Sequence, residues 1–440
     1  MTLKQIADSL AEAMLRGPFA QTDLVKAVND RLGQPQAFAG PLARRVLAYF
    51  GEKRRPRHHL LRAFLQGDDG LHRALKKLPR RLPVELEARC TMQPVSAARE
   101  WPVPPICDAG ELMHWLRLGE GEMLWLADPK GLEREAREGG LRNYRYRWMT
   151  KPSGGARLIE SPKSLLRSLQ RRVLHGILDH IPAHDSAHGF RAGRSIRSFA
   201  LPHVNQAVVL RLDLREFFPS VSRMRVVPVF LAAGYPEKVA MLLASLCTNV
   251  VPSEVLDACP AKGKPEIFWW QRKRLAGPHL PQGAPTSPAL ANLCAFHLDC
   301  RLAGLAKACG AQYTRYADDL VFSGDEAFAR QAGRFSIRAA AIILEEGFQV
   351  NMRKTKLMRR SVSQRAAGLV LNEGLNVSRA EFDQLKAVLH NCLKHGPQTQ
   401  NRAGHADFRA HLEGRVAHVC QIAPARGAKL RAMLERVDWC

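Results

Sequence analysis

The run Tyr313-Thr-Arg-Tyr-Ala-Asp-Asp-Leu-Val-Phe-Ser323 constrains the fold of this 440-residue chain more than any other stretch. Adjacent acids, Asp318 and Asp319, stand at a tight turn between two runs rich in aromatic and β-branched residues, the pattern of a β-hairpin. Like charges at a hairpin tip repel unless a cation lies between them. Hard oxygen ligands suit Mg²⁺, so the pair predicts a divalent metal. A solvated Asp-Asp turn is the alternative, and would be the better reading of an isolated pair.

The pair is not isolated. About a hundred residues upstream, Val208-Val-Leu-Arg-Leu-Asp213-Leu-Arg-Glu-Phe-Phe-Pro-Ser-Val221 reads as an apolar strand ending in Asp213, followed by two aromatics and a closing proline. Between the two runs lies Leu280-Pro-Gln282-Gly283-Ala-Pro-Thr-Ser-Pro288-Ala-Leu-Ala-Asn292. It predicts a Gly/Pro loop leading into a helix, with Ser287 as N-cap and Pro288 as first helical residue. Three acids from two strands suit a site for two Mg²⁺ ions, roughly 4 Å apart where such pairs serve nucleotidyl transfer. Gly283 lets backbone approach a nucleotide closely.

In order and spacing these three motifs resemble the reverse transcriptases: Asp213 falls in the first palm motif of that family, Gln282-Gly283 in the second, and Tyr-Ala-Asp-Asp is the third. The resemblance covers roughly residues 108–440. It implies an α+β right-hand polymerase with fingers, a palm built on an antiparallel sheet, and a helical thumb. It also implies an RNA-directed DNA polymerase, with Asp213, Asp318 and Asp319 on the metals and the Leu214 carbonyl as a further ligand. Phe218, five residues after Asp213, matches the steric gate that excludes a ribose 2′-hydroxyl, although a core aromatic is the plainer alternative. Its neighbour Phe217 should face the other side of the strand and belong to the core. Lys151 and Arg157 match the triphosphate contacts, Arg157 being the better suited to a bidentate grip on phosphate; ordinary surface charge is the alternative for both. Gln282 and Gly283 should lie against the template–nucleotide pair. Lys354, in Glu346-Gly-Phe-Gln-Val-Asn351-Met-Arg-Lys354-Thr, matches the fourth palm motif, where an ammonium can give a proton to the leaving pyrophosphate. Arg353 and Lys356 stand close enough to compete for that role.

Charge supports a polyanionic partner. The chain carries 66 Lys and Arg against 41 Asp and Glu, a net +25, which favours nucleic acid. No run approaches the ~18 apolar residues of a spanning helix, and Met1 to Gly17 lacks a secretory core. The ten cysteines show no CxxC pair and no zinc spacing. They read as reduced thiols of a cytoplasmic protein.

Residues 1–105 predict a basic helical N-terminal region. Ile6, Leu10, Ala13 and Met14 recur at helical spacing, as do Leu24, Val25, Val28 and Leu32. Between Arg44 and Cys90, thirteen Lys/Arg face five Asp/Glu, a surplus that tilts toward RNA or DNA phosphate over a merely solvated surface. Trp101-Pro-Val-Pro-Pro-Ile106 reads as a stiff boundary. Residues 106–375 then form fingers and palm. Leu112, Trp115 and Leu116, then Met123, Leu124 and Leu126, predict two short packed helices. A hairpin spans Tyr144 to Glu160, closed by Ser-Gly-Gly, and an amphipathic basic helix follows over Lys163–Leu178. Strand Ala207–Asp213 and the Tyr313–Ser323 hairpin form the sheet, with helices from Arg223 to Thr248 and after Pro288 covering it. Residues 376–440 make the helical thumb, with Phe382, Leu385, Val388 and Leu389 on one stripe.

Within the family, Ala187-His-Gly-Phe-Arg-Ala-Gly-Arg-Ser-Ile196 and the ending Gly414-Arg-Val-Ala-His-Val…Trp439 look most like bacterial retron enzymes. Two positions depart from the retron pattern. Phe199 stands at its Asn position, leaving Ala200 and His203, and Ala366-Ala367-Gly368 replaces Val-Thr-Gly. The resemblance implies a cognate structured non-coding RNA as template and primer, deoxynucleotide substrates, a branched RNA–DNA product, and an effector protein in anti-phage defence, with no membrane partner. Another defence-associated or intron-type reverse transcriptase, a template-free or RNA-making polymerase, and a catalytically idle nucleic-acid-binding protein are the alternatives.

Overall fold

Along Val208–Asp213 the side chains alternate between two faces, so Val208, Leu210 and Leu212 must face one way and Val209, Arg211 and Asp213 the other. That alternation organises the computed structural model, which describes residues 3–16, 18–51, 56, 58–76, 91–135, 142–151, 155–260 and 265–439. The chain divides into two compact units, Met1–Thr91 and Met92–Cys440.

The first unit is helical: α1 (Leu3–Arg16), α2 (Gln21–Arg31), α3 (Ala39–Phe50), α4 (His58–Gly67) and α5 (Asp69–Lys76). The expected apolar stripes are its core, where Leu10, Met14, Leu24, Val28 and Leu32 are buried with Leu42, Val46, Leu61 and Leu65. Arg45 grips both oxygens of Asp68 at 2.7 and 2.8 Å, and Asp68 also accepts from the Leu71 amide. Most of the Arg44–Cys90 basic surplus, including Lys53–Arg55, Arg57 and Lys77, lies outside the described residues.

The second unit opens with α6 (Ala109–Leu116) and α7 (Glu120–Ala127), then the hairpin β1 (Tyr144–Thr150) and β2 (Ala156–Pro162), then α8 (Ser164–Gly176) and α9 (Ile196–Ala200). A four-stranded sheet follows in the order β4-β5-β3-β6, from β3 (Val208–Asp213), β4 (Gln312–Tyr316), β5 (Asp319–Gly324) and β6 (Lys356–Arg359). Every pairing in it is antiparallel. Between β3 and β4 run α10 (Arg223–Ala232), α11 (Glu237–Leu246), α12 (Ser253–Asp257), α13 (Pro265–Leu275), α14 (Ser287–Cys294) and α15 (Phe296–Ala308), and α16 (Glu326–Glu345) follows β5. A short hairpin, β7 (Arg365–Ala366) and β8 (Leu369–Val370), precedes α17 (Arg379–His395), α18 (Phe408–Ile422) and α19 (Pro424–Leu434).

The two sheet faces feed two cores. Leu210, Leu212, Leu320 and Phe322 pack with Leu298, Leu302, Phe328 and Phe335 of α15 and α16. Val209 and Val321, on the other face, join Met358, Leu385, Leu389, Val416 and Leu430. The last three helices are therefore continuous in packing with the sheet's second face. At the far end of that face the apolar side chains give way to Arg211, Asp213 and Asp319.

Three expectations differ in detail. Residues 92–105, expected in the N-terminal region, belong to the second unit: Gln93 and Val95 amides donate to Gly234 and Ala232 carbonyls, and the Tyr235 hydroxyl donates to the Pro104 carbonyl. The Pro-rich stretch is thus held down rather than spanning a gap. Leu124 stays 52% exposed while Met123 and Leu126 are buried, because at 3.6 residues per turn position 124 leaves the face that 123 and 126 share. Ser287 is the first helical residue and Thr286 precedes it as cap. The Ser287 hydroxyl instead donates back to the Pro281 carbonyl at 2.7 Å, bracing the loop.

One ion pair organises the sheet edge. Arg315 and Asp299 are both fully buried, joined by contacts of 2.8 and 2.6 Å. The Tyr313 hydroxyl donates to the same carboxylate, while Arg315 also donates to Asn292 and to the Ala317 carbonyl. Breaking one side strands a charge in a low-dielectric interior. Asp299→Asn should cost about 3–5 kcal/mol of stability, read as a lower denaturant midpoint for the sheet-containing unit.

Candidate active site

Antiparallel register sets Asp213, the last residue of β3, directly opposite Asp319, the first of β5. Asp318 sits in the two-residue turn before it, and its carbonyl accepts from the Leu214 amide at 2.8 Å. The sequence-predicted acids are therefore brought together at one end of the sheet. The turn needs Ala317 in the left-handed region, φ +54°, an uncommon conformation for a residue with a side chain.

The surroundings hold it there. Arg315 binds the Ala317 carbonyl from below. Gly189 packs against the turn so closely that a Cβ there would lie 2.8 Å from the Ala317 nitrogen. His203, fully buried, spans both hairpin strands through Thr314 and Ser323 hydroxyls at 2.7 and 2.6 Å. Because the Thr314 hydroxyl donates to the Phe199 carbonyl, Nε2 of His203 carries the proton and Nδ1 accepts from Ser323. Burial pushes this imidazole down to about 3, so it is a neutral strut. Phe199 is itself buried, 5.6 Å from the Tyr316 ring, so an aromatic braces the turn where retron enzymes are expected to carry Asn.

Charge in the site is unbalanced. Asp213 is 2% exposed, and its oxygens accept from Asn351 Nδ2 at 3.0 Å and Lys354 Nζ at 2.8 Å. Asp319 is gripped by Arg211 at 2.6–2.9 Å; burial raises its pKa, and the guanidinium opposes that rise. Asp318 makes no ion pair among the described residues. Burial first, then the Asp213 and Asp319 charges, push its carboxyl up to about 6, and Lys354 is the nearby charge that opposes the rise.

Among the described residues no three His, Cys, Asp or Glu side chains gather as a ready metal site, and Lys354 and Arg211 each pair with one of the carboxylates. The chemistry of the donors nevertheless fits a hard divalent cation. Asp213, Asp318 and the Leu214 carbonyl offer oxygen only, and the raised Asp318 marks a place where positive charge is lacking. Arg211, Asn351 and the aromatic Phe190 were not predicted. Arg211 was within reach, because period two puts it on the same face as Asp213; Asn351 and Phe190 come near the site only through tertiary folding.

A cleft of about 490 Å³ adjoins these groups, lined by Phe218, Phe190, Gly283, Pro285, Arg167 and Arg171. Phe218 and Phe190 rings lie 6.1 Å apart, and Phe190 is 6.3 Å from Tyr316, so the aromatic wall touches the carboxylate turn. Phe217 is buried in the core, as expected. Gly283 has φ +135°, and a Cβ there would meet the Glu160 carbonyl at 2.9 Å. Glu160 donates its amide to the Gln282 carbonyl, while its buried carboxylate binds His279 and Asn249. Lys151 is paired with Glu216 at 3.2 Å. Arg157 is exposed on β2, with no partner among the described residues. Residues 152–154 of the hairpin turn lie outside the described ones.

Residues 149–381 match the model of the family described as reverse transcriptase (RNA-dependent DNA polymerase). The chain belongs to that family. It is 42% identical over 291 residues to the retron Mx65 reverse transcriptase of Myxococcus xanthus, covering 66% of this chain and 64% of that protein. It is 36% identical over 304 residues to the retron Mx162 reverse transcriptase of the same organism, covering 66% and 59%. With the retron Ec86 reverse transcriptase of Escherichia coli it shares 32% identity over 258 residues, 57% of this chain and 70% of that one. The chain is thus of the bacterial retron type, and it spans less than two thirds of the length of the two Myxococcus relatives.

Asp318→Asn removes a charge that folding disfavours. A raised folded pKa means the penalty is absent below the unfolded value of about 3.9 and fully present once pH passes about 6. In metal-free buffer near neutral pH the variant should therefore be the more stable protein, by about 1–2 kcal/mol after allowing for solvent screening. The advantage should disappear in acid, a trend that thermal unfolding across pH checks.

Proposed function

We propose that this chain is an RNA-directed DNA polymerase that copies part of a cognate structured RNA into DNA. The observation that carries the reading is the juxtaposition of Asp213, Asp318 and Asp319 beside a cleft walled by Phe218 and Gly283, in a chain of this family. In this reading β1–β2 and α8 are fingers, the four-stranded sheet is palm, and α17–α19 are thumb.

The reaction joins a primer hydroxyl oxygen to the α-phosphorus of a deoxynucleoside triphosphate and releases pyrophosphate. Asp213, Asp318 and the Leu214 carbonyl, with Asp319 beside them, would hold two Mg²⁺ ions, which stabilise the attacking and leaving oxygens when bound. Arg157 takes triphosphate oxygens bidentately, and Lys151 joins it on leaving Glu216. Phe218 closes the floor beneath the sugar, excluding a 2′-hydroxyl. Backbone at Gln282-Gly283 faces the template–nucleotide pair. Lys354, already within reach of Asp213, is placed to give a proton to the pyrophosphate.

The retron relatives are reverse transcriptases, which supports an RNA template and a DNA product. In this reading the template and primer are one structured non-coding RNA, priming uses a guanosine 2′-hydroxyl, the product is a branched RNA–DNA hybrid, and the chain acts in the cytoplasm in anti-phage defence with an effector protein. No helix among the described residues is long and apolar enough to cross a membrane.

Two measurements test the chemistry. Asp318→Asn with Asp319→Asn should cut Mg²⁺-dependent deoxynucleotide incorporation by roughly 10³-fold or more, with RNA affinity within about twofold because Lys and Arg carry it. Normal extension by the double variant refutes the assignment. Phe218→Val should raise ribonucleotide over deoxynucleotide use by roughly 10–100-fold. An unchanged ratio in a folded variant removes the gate role.

A further inference from the structure

Beside the proposed nucleotide cleft, a second cavity of about 550 Å³ is lined by Trp115, Arg117, Arg171, Arg172, His175 and Gly176. No carboxylate lines it. That volume falls within the range of ordinary ligand pockets, and its chemistry is one aromatic ring among basic side chains.

Three features show that the arrangement is built. Arg117 closes α6 in the left-handed region, φ 59° and ψ 50°, where Gly is the usual occupant. A long cationic side chain is kept there against backbone preference, and it has no carboxylate partner among the described residues. Trp115 lies against Gly176 so tightly that a Cβ would meet its ring at 2.7 Å. Arg172 donates to the Trp115 carbonyl at 2.8 Å, tying α8 to the backbone of the residue that carries the ring. His175 is paired with Asp179 at 2.8 Å.

Position supplies the rest. Arg167, Arg171 and His175 recur at every fourth residue along the exposed face of α8, a stripe of about 12 Å. Arg171 lines both this cavity and the cleft of Phe218 and Gly283. A basic track therefore leads from the cleft to the pocket.

We propose that this pocket holds an unpaired nucleotide of the RNA template before it reaches the cleft, its base against Trp115 and its phosphate on Arg117 and Arg171. This rests on the polymerase reading above. Aromatic stacking with guanidinium grip suits a single strand of any sequence, because every base has a π face and every linkage a phosphate.

The test uses the full chain and a labelled RNA annealed to a DNA primer, either flush with the primer or carrying a 5′ single-stranded overhang. The parent should bind the overhang form more tightly. Arg117→Gly suits its backbone position, so its melting temperature should not fall. It should lose about three- to tenfold of the overhang preference, and its salt slope on that form should flatten by about 0.7 per lost phosphate contact. Trp115→Leu should keep the slope and lose roughly tenfold in affinity for the overhang form. A parent without overhang preference, or variants that keep both ratio and slope, overturn the proposal. Deoxynucleotide addition on the same templates is read in parallel: normal addition with unchanged ratios overturns the pocket alone, and no addition by the parent overturns the polymerase reading.

Discussion

The buried pair between Arg315 and Asp299 is the constraint on which the rest of the catalytic unit hangs. A guanidinium with no solvent contact must have every donor satisfied, and this one is satisfied by Asp299, Asn292 and the Ala317 carbonyl. The three partners come from α14, α15 and the hairpin turn. Asn292 in turn donates to the Gly189 carbonyl, and the Arg315 backbone pairs with Ser186 and His188. One side chain thus ties two helices and the loop before α9 to the turn that carries Asp318. On the opposite strand face His203 performs the complementary task with neutral chemistry, so the hairpin is clamped from both sides without a further buried charge.

That rigidity is needed because the site itself is electrostatically unfavourable. Three carboxylates share one end of a sheet, and only two are in ion pairs. Their mutual repulsion is tolerated because the scaffold over-determines the turn, keeping Ala317 left-handed and Asp318 half-buried. Such local electrostatic conflict, held by a rigid scaffold, is characteristic of functional sites.

Much of this was legible in sequence because it obeys short-range rules. Strand period two located Asp213 and the hairpin acids, and the Gly/Pro loop located Gly283. Helical periodicity found the cores of α1, α2 and α17. The remainder depended on contacts no local rule encodes. Nothing near Arg211 announces that it will grip Asp319 from across a strand pair, although its face was predictable. Phe190 gains meaning only when its loop folds over Tyr316. The boundary was misplaced because prolines at 102–105 signal stiffness, and stiffness serves equally well for a strap packed on a core as for a linker. Phe199 shows the opposite case: a departure from the expected motif that the fold absorbs by packing, while His203 keeps the polar work.

Glu160 ties the β1–β2 hairpin to the loop that lines the cleft. Its amide holds the Gln282 carbonyl, its carboxylate holds His279 and Asn249, and its own carbonyl leaves Gly283 no space for a side chain. The β1–β2 hairpin and the loop before α14 are thereby coupled mechanically. The base of the hairpin is closed in turn by the Lys163 amide on the Asn143 carbonyl, so the position of Gly283 in the cleft is set by a strand whose own ends are tied.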